Sequence, residues 1–307
     1  MTRAVVFAYH NVGVRCLATL LARGVDVALV VTHRDAPGET IWFDSVAERA
    51  RADRIALAYA EDTRAPALLE RVRALAPDFV FSFYYRNMLE PALLAQAARG
   101  ALNMHGSLLP RYRGRAPVNW AIVHGEVETG ATLHYMAEKP DAGPIVGQQA
   151  VPILPDDTAL DVFGKVTWAA ELVLHRSLPG LIAGTAPARA QDLAAGSYFG
   201  GRRPEDGRID WRAGARRIHD LVRAVAPPYP GAFFELAGRT VRLLRTRFEP
   251  GPGAAPIGPA LRCEGGFAYA ECADGARLRL LAFEIDGKPG GADAIIAAFG
   301  ATRVPLT

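Results

Sequence analysis

A doubly wound α/β domain with a mostly parallel sheet, followed by a smaller β-rich domain, is the architecture this sequence predicts. Three observations carry it. Short apolar runs alternate with amphipathic helical segments through the N-terminal half. Alternation lapses at 185–207, "TAPARAQDLAAGSYFGGRRPEDG", a stretch rich in Ala, Gly, Pro and Arg. After one more helical segment the chain reads as strands and turns. Strand–helix alternation builds parallel sheets through crossover helices, whereas closely spaced strands with turns build small barrels. The expected domains are residues 1–200 and 205–307.

The elements follow in order. "AVVFAY" (4–9) is a buried strand, and "VRCLATLLARG" (14–24) puts Leu17, Leu20 and Leu21 on one helical face with Gly24 to end it. "VDVALVVT" (25–32) is a strand, "WFDSVAERARA" (42–52) a helix and "IALAYA" (55–60) a strand. "ALLERVRALA" (67–76) is a helix and "DFVFSFYY" (78–85) a strand. Strands are expected at 131–137 and 145–153, a long helix at 159–184 and a further helix at 214–225. The last strands lie in "FFELAGRTVRLLRTRF" and "FAYAECADGARLRLLAFEID". Ligands of such sheets bind beyond the carboxyl ends of the strands, so "FSFYYRNML" and "ALNMHGSLLP" fall where a site is expected.

Composition narrows the function. The chain has 307 residues, net charge +3 and pI about 8.8. This slight basic excess suits an anionic small molecule and falls short of the dense stripe of a nucleic-acid binder. Three scattered cysteines without a CxxC pair argue against a disulfide framework and for a reducing, cytoplasmic setting. No signal peptide and no membrane span is expected. The first strand–helix turn, "YHNVGVRCL", lacks G-x-G-x-x-G, so no NAD site is expected there. Neither a Walker A, a G-x-S-x-G nor an H-E-x-x-H sequence occurs, and no metal is expected.

The chemistry concentrates in "NMHGSLLPRYRGRAP" (103–117). Asn103 and His105 are two apart on an extended chain and share a side. An amide N–H can stabilise an oxyanion and an imidazole can move a proton, which together suit acyl transfer. A loop-capping histidine and a turn asparagine are the plain alternative. Asp141, in "YMAEKPDAGPI", would favour the protonated imidazole if it lay beside His105. It could equally bond only its own turn. Arg111, Arg113 and Arg115 alternate along a proline-flanked loop and could grip phosphate or carboxylate, or merely be solvated.

"LNMHGSLLPRYRGRAPVNW", then "GATLHYMAEKPDAGPIV", then "GRRPEDGRIDW" (201–211) resemble, in order, the motifs of the 10-formyltetrahydrofolate-dependent formyltransferases. The resemblance covers essentially the whole chain. It implies a Rossmann-like formyltransferase fold with an OB-like C-terminal domain and 10-formyltetrahydrofolate as co-substrate. Within the family, "VVFAYHNVG", "THRDAPGE", "FSFYYR" and "RAVAPPYPGAF" are most similar to the formyltransferase domain of bifunctional polymyxin-resistance enzymes. These formylate UDP-4-amino-4-deoxy-L-arabinose in lipid A modification. Their NAD-dependent decarboxylase half has no counterpart here, so oxidative decarboxylation is not expected. By carry-over, Asn103 holds the oxyanion, His105 handles the proton and Asp141 raises its pKa. Asn87, Met88 and Leu89, with Ala137, Glu138, Lys139, Pro140 and Asp141, match the folate-contacting stretches. Arg115 matches a binding position and is the leading candidate for the acceptor's diphosphate. Tyr229, in a Pro-rich aromatic segment at the expected domain junction, suits a base or sugar.

Three alternatives stand beside this reading. One is another nucleotide-sugar N-formyltransferase. A second is methionyl-tRNA formyltransferase, disfavoured because "THRDAPGETIWFDS" (32–45) carries Asp35, Glu39 and Asp44 against Arg34, a poor grip on phosphates. The third is a non-catalytic binding protein, which would have no use for Asn103, His105 and Asp141 together. The expected partner is a small-molecule nucleotide amino sugar, with no nucleic acid and no membrane. Oligomeric state is not legible.

Overall fold

The computed structural model describes residues 1–251 and 258–306. In chain order, the N-terminal elements are β1 (Arg3–Ala8), α1 (His10–Ala22), β2 (Asp26–Thr32), α2 (Val46–Ala52), β3 (Leu57–Tyr59), α3 (Pro66–Leu75), β4 (Phe79–Phe83), α4 (Pro91–Leu94) and β5 (Ala101–His105). Then come β6 (Arg113–Gly114), α5 (Pro117–Val123), β7 (Glu128–Tyr135), β8 (Ile145–Pro152), α6 (Ala159–Ala183) and β9 (Tyr198–Phe199). The remainder is α7 (Ala215–Ala224), β10 (Ala232–Leu236), β11 (Arg239–Glu249), β12 (Ala260–Glu264), β13 (Phe267–Glu271), β14 (Arg277–Ile285), β15 (Lys288–Pro289), α8 (Ala292–Phe299) and β16 (Arg303–Pro305). The chain divides into a first unit (Met1–Pro117, Glu128–Val151 and Gly164–Gly200) and a second (Val118–Val127, Pro152–Phe163 and Gly201–Thr307).

The first unit is built on a sheet of order β3-β2-β1-β4-β5-β7-β8. Pairing is parallel from β3 to β5 and turns antiparallel between β5 and β7. The parallel strands are apolar along their whole length, as strands covered on both faces must be: β4, "FVFSF", is buried at every position. One face carries Val5, Phe7, Leu29, Val31 and Val80 against Leu68 and Val72 of α3. On the other, Gly13 of α1 lies so close to Ala8 and to Val46 of α2 that a Cβ there would crowd both. The chain leaves β1 for β2 on one side and returns through β4 on the other. That reversal opens the crevice at the carboxyl ends of β1 and β4 where ligands of open α/β sheets bind.

The second unit carries a curled antiparallel half-barrel of order β10-β11-β14-β13-β12-β16. Its core joins Phe234, Val241, Leu243, Leu278 and Phe283 to Ile218 and Val222 of α7 and Ile295 of α8. Full burial of such side chains contributes about 1.5–3 kcal/mol each, so this unit has a core of its own.

The stretch 185–207 differs from the linker its composition suggests. Arg189 bridges Ile145, and β9 pairs in parallel with β6. Gln191 Nε2 donates to the carbonyls of Asp141 (3.0 Å) and Gly143 (2.6 Å). Composition describes mobility of an isolated chain; here backbone and amide partners on neighbouring segments hold it.

Candidate active site

The carboxyl end of β5 presents Asn103 and His105. Register fixes their neighbours: Asn103 lies opposite Ser82 on β4 and opposite His134 on β7, and His105 opposite Thr132. Asp141 follows β7 in a tight turn and adopts a left-handed backbone (φ 52°). That conformation brings its carboxylate back over β5. Oδ1 stands 3.4 Å from Asn103 Nδ2, 3.5 Å from His105 Nδ1 and 3.6 Å from His134 Nε2. Oδ2 accepts a firm 2.9 Å bond from the Gly114 N–H. Of the two situations open for Asp141, the structure selects the carboxylate beside the imidazole.

His105 is 7 % exposed, and its Nε2 donates to the Tyr112 carbonyl at 2.8 Å. A carbonyl only accepts, so that nitrogen holds a proton and Nδ1 is the one turned to Asp141. His134 is pinned likewise: Nδ1 donates to the Tyr135 carbonyl at 2.8 Å, while Nε2 lies 3.2 Å from Asn103 Nδ2. Burial alone would push the Asp141 carboxyl up. The His105 imidazole, the His134 imidazole and the Gly114 N–H outweigh it and hold the group well below the usual carboxylate range.

The loop 106–117 is held against this cluster. Ser107 Oγ donates to the Arg111 carbonyl at 2.7 Å, and Ser197 Oγ accepts from the Tyr112 N–H at 2.8 Å. The ring of Tyr112 stacks on Phe199 with centroids 5.4 Å apart. Gly114 is required twice over: its φ is +96°, and a Cβ would run into the Phe199 carbonyl. Tyr84, Tyr112, Ala116 and Asp141 all have φ between 50° and 57°, as non-glycine residues rarely do. Such conformations persist where surrounding contacts over-determine them.

The remaining expected residues fall into three groups. Asn87, Met88 and Leu89 follow β4: Asn87 Nδ2 donates to the Glu61 carbonyl (2.7 Å), Thr63 Oγ1 to that of Met88 (2.8 Å), and Leu89 is buried. Ala137, Glu138 and Lys139 are exposed in the turn that ends at Pro140 and Asp141. Arg115 is exposed, and its guanidinium has no partner among the described residues, whereas Arg113 is buried with Nε and Nη1 unpartnered. Tyr229 belongs to the second unit. It packs on that unit's core and shares a hydrogen bond with Asn119, and burial raises its phenol pKa.

His134 went unnoticed in the sequence. A histidine inside "ATLHYMA" reads as an ordinary strand residue, and only the β5–β7 pairing brings it to Asn103. No group of metal-ligating side chains occurs among the described residues, nor is any of their helices long and apolar enough to cross a membrane.

Comparison with known proteins follows the same lines. Residues 12–178 match the formyl transferase family, and residues 202–297 match the formyl transferase C-terminal domain. The chain belongs to the formyl transferase family. Similar solved structures include an N-formyltransferase from Helicobacter canadensis in complex with folinic acid and dTDP-3-aminofucose. It is 20% identical with TM-score 0.74, over 91% of this formyltransferase and 99% of that chain. A sugar N-formyltransferase from Shewanella sp. is 20% identical with TM-score 0.62, over 79% and 96% of the two chains. Glycinamide ribonucleotide transformylase 1 from Symbiobacterium toebii is 25% identical with TM-score 0.53, over 62% and 95%.

Proposed function

We propose that this formyltransferase moves a formyl group from 10-formyltetrahydrofolate to the amine of a nucleotide-linked amino sugar. The acceptor we infer is UDP-4-amino-4-deoxy-L-arabinose. The observation that carries the reaction is the gathering of Asn103, His105 and Asp141 at the carboxyl ends of neighbouring strands. In the reaction the amine attacks the formyl carbon, a C–N bond forms, and the bond to the folate nitrogen breaks. One proton passes from the amine to that leaving nitrogen. Asn103 Nδ2 supplies the oxyanion donor: its 3.4 Å contact with Asp141 is at the limit of a hydrogen bond, so that N–H is free to turn to a stronger acceptor. His105 relays the proton through Nδ1, whose 3.5 Å approach to Asp141 is loose in the way catalytic contacts are before substrate arrives. Asp141 positions the ring and stabilises its protonated form, and His134 orients the Asn103 amide.

Folate contacts are assigned to Asn87, Met88 and Leu89 and to Ala137 through Asp141. The exposed Arg115 is assigned to the acceptor's diphosphate. The nucleotide-sugar class is supported by the H. canadensis neighbour, which holds folinic acid with dTDP-3-aminofucose, and by the Shewanella sugar N-formyltransferase. UDP and the amino-arabinose rest on the resemblance to the formyltransferase domain of ArnA. On this reading the enzyme would act in the cytoplasm, in lipid A modification and polymyxin resistance. The tRNA alternative is weakened by the loop after β2: its one arginine, Arg34, lies over the Tyr59 ring, and its Asp44 is exposed, so it offers little grip on phosphates.

The test is a formyl-transfer assay offering UDP-4-amino-4-deoxy-L-arabinose, dTDP-linked amino sugars and charged initiator tRNA side by side. Highest kcat/KM for the UDP sugar is expected. Preference for a dTDP sugar would overturn the nucleotide assignment, and preference for tRNA would overturn the acceptor class.

A further inference from the structure

We propose that His10, Trp42, Phe43 and Tyr84 form a stacking shelf for the nucleobase of the acceptor, an inference that rests on reading the acceptor as a nucleotide-activated sugar. The four rings meet at the crevice between β1 and β4. His10 stacks on Phe43 with centroids 3.9 Å apart, meets the edge of Trp42 at 4.4 Å and faces Tyr84 at 6.5 Å. The first residue of α1 holds a left-handed backbone (φ 67°) to place that ring. Positive φ is uncommon for a residue other than glycine, and histidine is among those that take it most readily.

The shelf is preorganised. The segment bearing Trp42 and Phe43 is tied at Asp44, whose N–H donates to Asn11 Oδ1 at 2.7 Å. It is tied again at Glu39, which Arg86 grips with both Nη atoms, and at Asp35, which accepts from the Tyr9 hydroxyl at 2.6 Å. Burial pushes the His10 pKa down to about 3, so the ring is a neutral plane at physiological pH. His10, Trp42 and Tyr84 each remain half-buried and leave surface open to solvent. At its other end the shelf touches the catalytic loop. The Tyr84 hydroxyl sits where a Cβ on Gly106 would be, one residue from His105.

A flat, uncharged, unsaturated ring is the ligand such a surface takes, and the pterin is assigned elsewhere. Leu89, in the stretch matched to folate, packs with Leu68 and Val72 of α3. The shelf instead opens α1 and directly precedes α2, which cover the opposite face of the sheet. A base laid on His10 and Trp42 would have its sugar-linked end directed along Tyr84 toward His105, where the amine must react.

Calorimetric titration of the full-length protein with UMP, ribose 5-phosphate and folinic acid tests this. Wild type is expected to bind UMP more tightly than ribose 5-phosphate. Trp42→Ala is expected to weaken UMP binding by about five- to a hundredfold, the range measured for loss of one base-stacking ring, and to leave ribose 5-phosphate and folinic acid unchanged. Trp42→Phe should restore most of the loss. His10→Asn, which tolerates the left-handed backbone, should weaken UMP in the same sense. Unchanged UMP affinity in Trp42→Ala, or parallel loss of folinic acid, would overturn the shelf. So would equal wild-type affinity for UMP and ribose 5-phosphate. Formyl-transfer kinetics separate the two readings: turnover of a nucleotide sugar with an unaltered acceptor KM in Trp42→Ala defeats the shelf alone. A wild type that binds no UMP and formylates only base-free amines defeats both.

Discussion

Asp141, half-buried in the first unit, and Asp220, buried in the second, are carboxylates with a histidine close by, yet they are held in opposite ways. Asp220 receives a 2.8 Å bond from Arg223 Nε, and Arg223 Nη1 reaches the carbonyls of Asp157 (3.1 Å) and Leu154 (3.4 Å). His219 beside it is closed as well, Nδ1 on Thr246 Oγ1 at 2.9 Å and Nε2 on the Pro155 carbonyl at 3.0 Å, and burial lowers its pKa. Asp141 makes one short bond, from Gly114, and three contacts of 3.4–3.6 Å, one to an amide and two to imidazoles. A fully satisfied buried ion pair fixes a structure. A carboxylate surrounded by near-bonds leaves those groups ready for a substrate.

The largest effect that could break this contrast lies in the second unit. Asp220→Ala strands the Arg223 guanidinium in a buried setting and is expected to cost about 3–5 kcal/mol of stability. The turnover of the folded fraction should not change. Denaturant titration combined with active-site counting checks it; a drop in kcat without a drop in stability would mean the closed cluster also serves the reaction.

Asn103→Ala is the mirror experiment. Loss of one oxyanion donor is expected to lower kcat by about a hundred- to a thousandfold. His105→Ala and Asp141→Ala should likewise abolish most turnover. Stability should fall far less in Asn103→Ala than in Asp220→Ala, because the contacts it removes, 3.2 Å to His134 and 3.4 Å to Asp141, are long and no buried charge is stranded. Near-normal turnover in His105→Ala at saturating substrates would end its role as proton relay.

Arg115→Ala comes next. An exposed guanidinium with no protein partner among the described residues has little structural work to lose. If it grips the diphosphate, acceptor KM should rise by about ten- to a hundredfold with the formyl-donor KM unchanged. Equal changes in both KM values, with a lowered Tm, would make it a loop support instead.

These contrasts were unevenly legible. Periodicity located β1 to β4, while β5 is marked in the sequence only as an apolar run before the loop; the long helix expected at 159–184 is present as α6, Ala159–Ala183. Boundaries slipped where packing overrides propensity. A helix was expected over 42–52, but Trp42 and Phe43 are drawn to His10, and α2 starts after Ser45, whose Oγ accepts from the Glu48 N–H at 3.2 Å. The Ser-x-x-Glu spacing of Ser45 and Glu48 is the sequence signal for that start. α1 begins at His10 rather than Val14, with no side-chain cap to announce it. α8 drew no expectation. Asn103 and His105 were readable because two residues on one strand share a side. His134 was not, since its place depends on an antiparallel partner that sequence spacing does not specify.

The smallest effect expected is on the pH dependence of stability, and it bears directly on the two carboxylates. Burial would raise the Asp141 pKa, but the His105 imidazole, His134 and the Gly114 N–H together hold it below its unfolded value of about 3.9. A group with a depressed folded pKa binds its proton more weakly in the folded state. It therefore contributes stability above the unfolded pKa and loses that contribution as the pH falls through the folded one. Wild type should thus lose stability below about pH 4 more steeply than Asp141→Asn, which has no proton to take up at that position. Urea titrations of both proteins between neutral pH and pH 3 measure the difference. Parallel curves would mean that Asp141 keeps an ordinary pKa and that its three long contacts do not hold the charge. A steeper acid arm in the wild type, with kcat lost in Asp141→Asn at neutral pH, would tie the same carboxylate to both folding and proton handling.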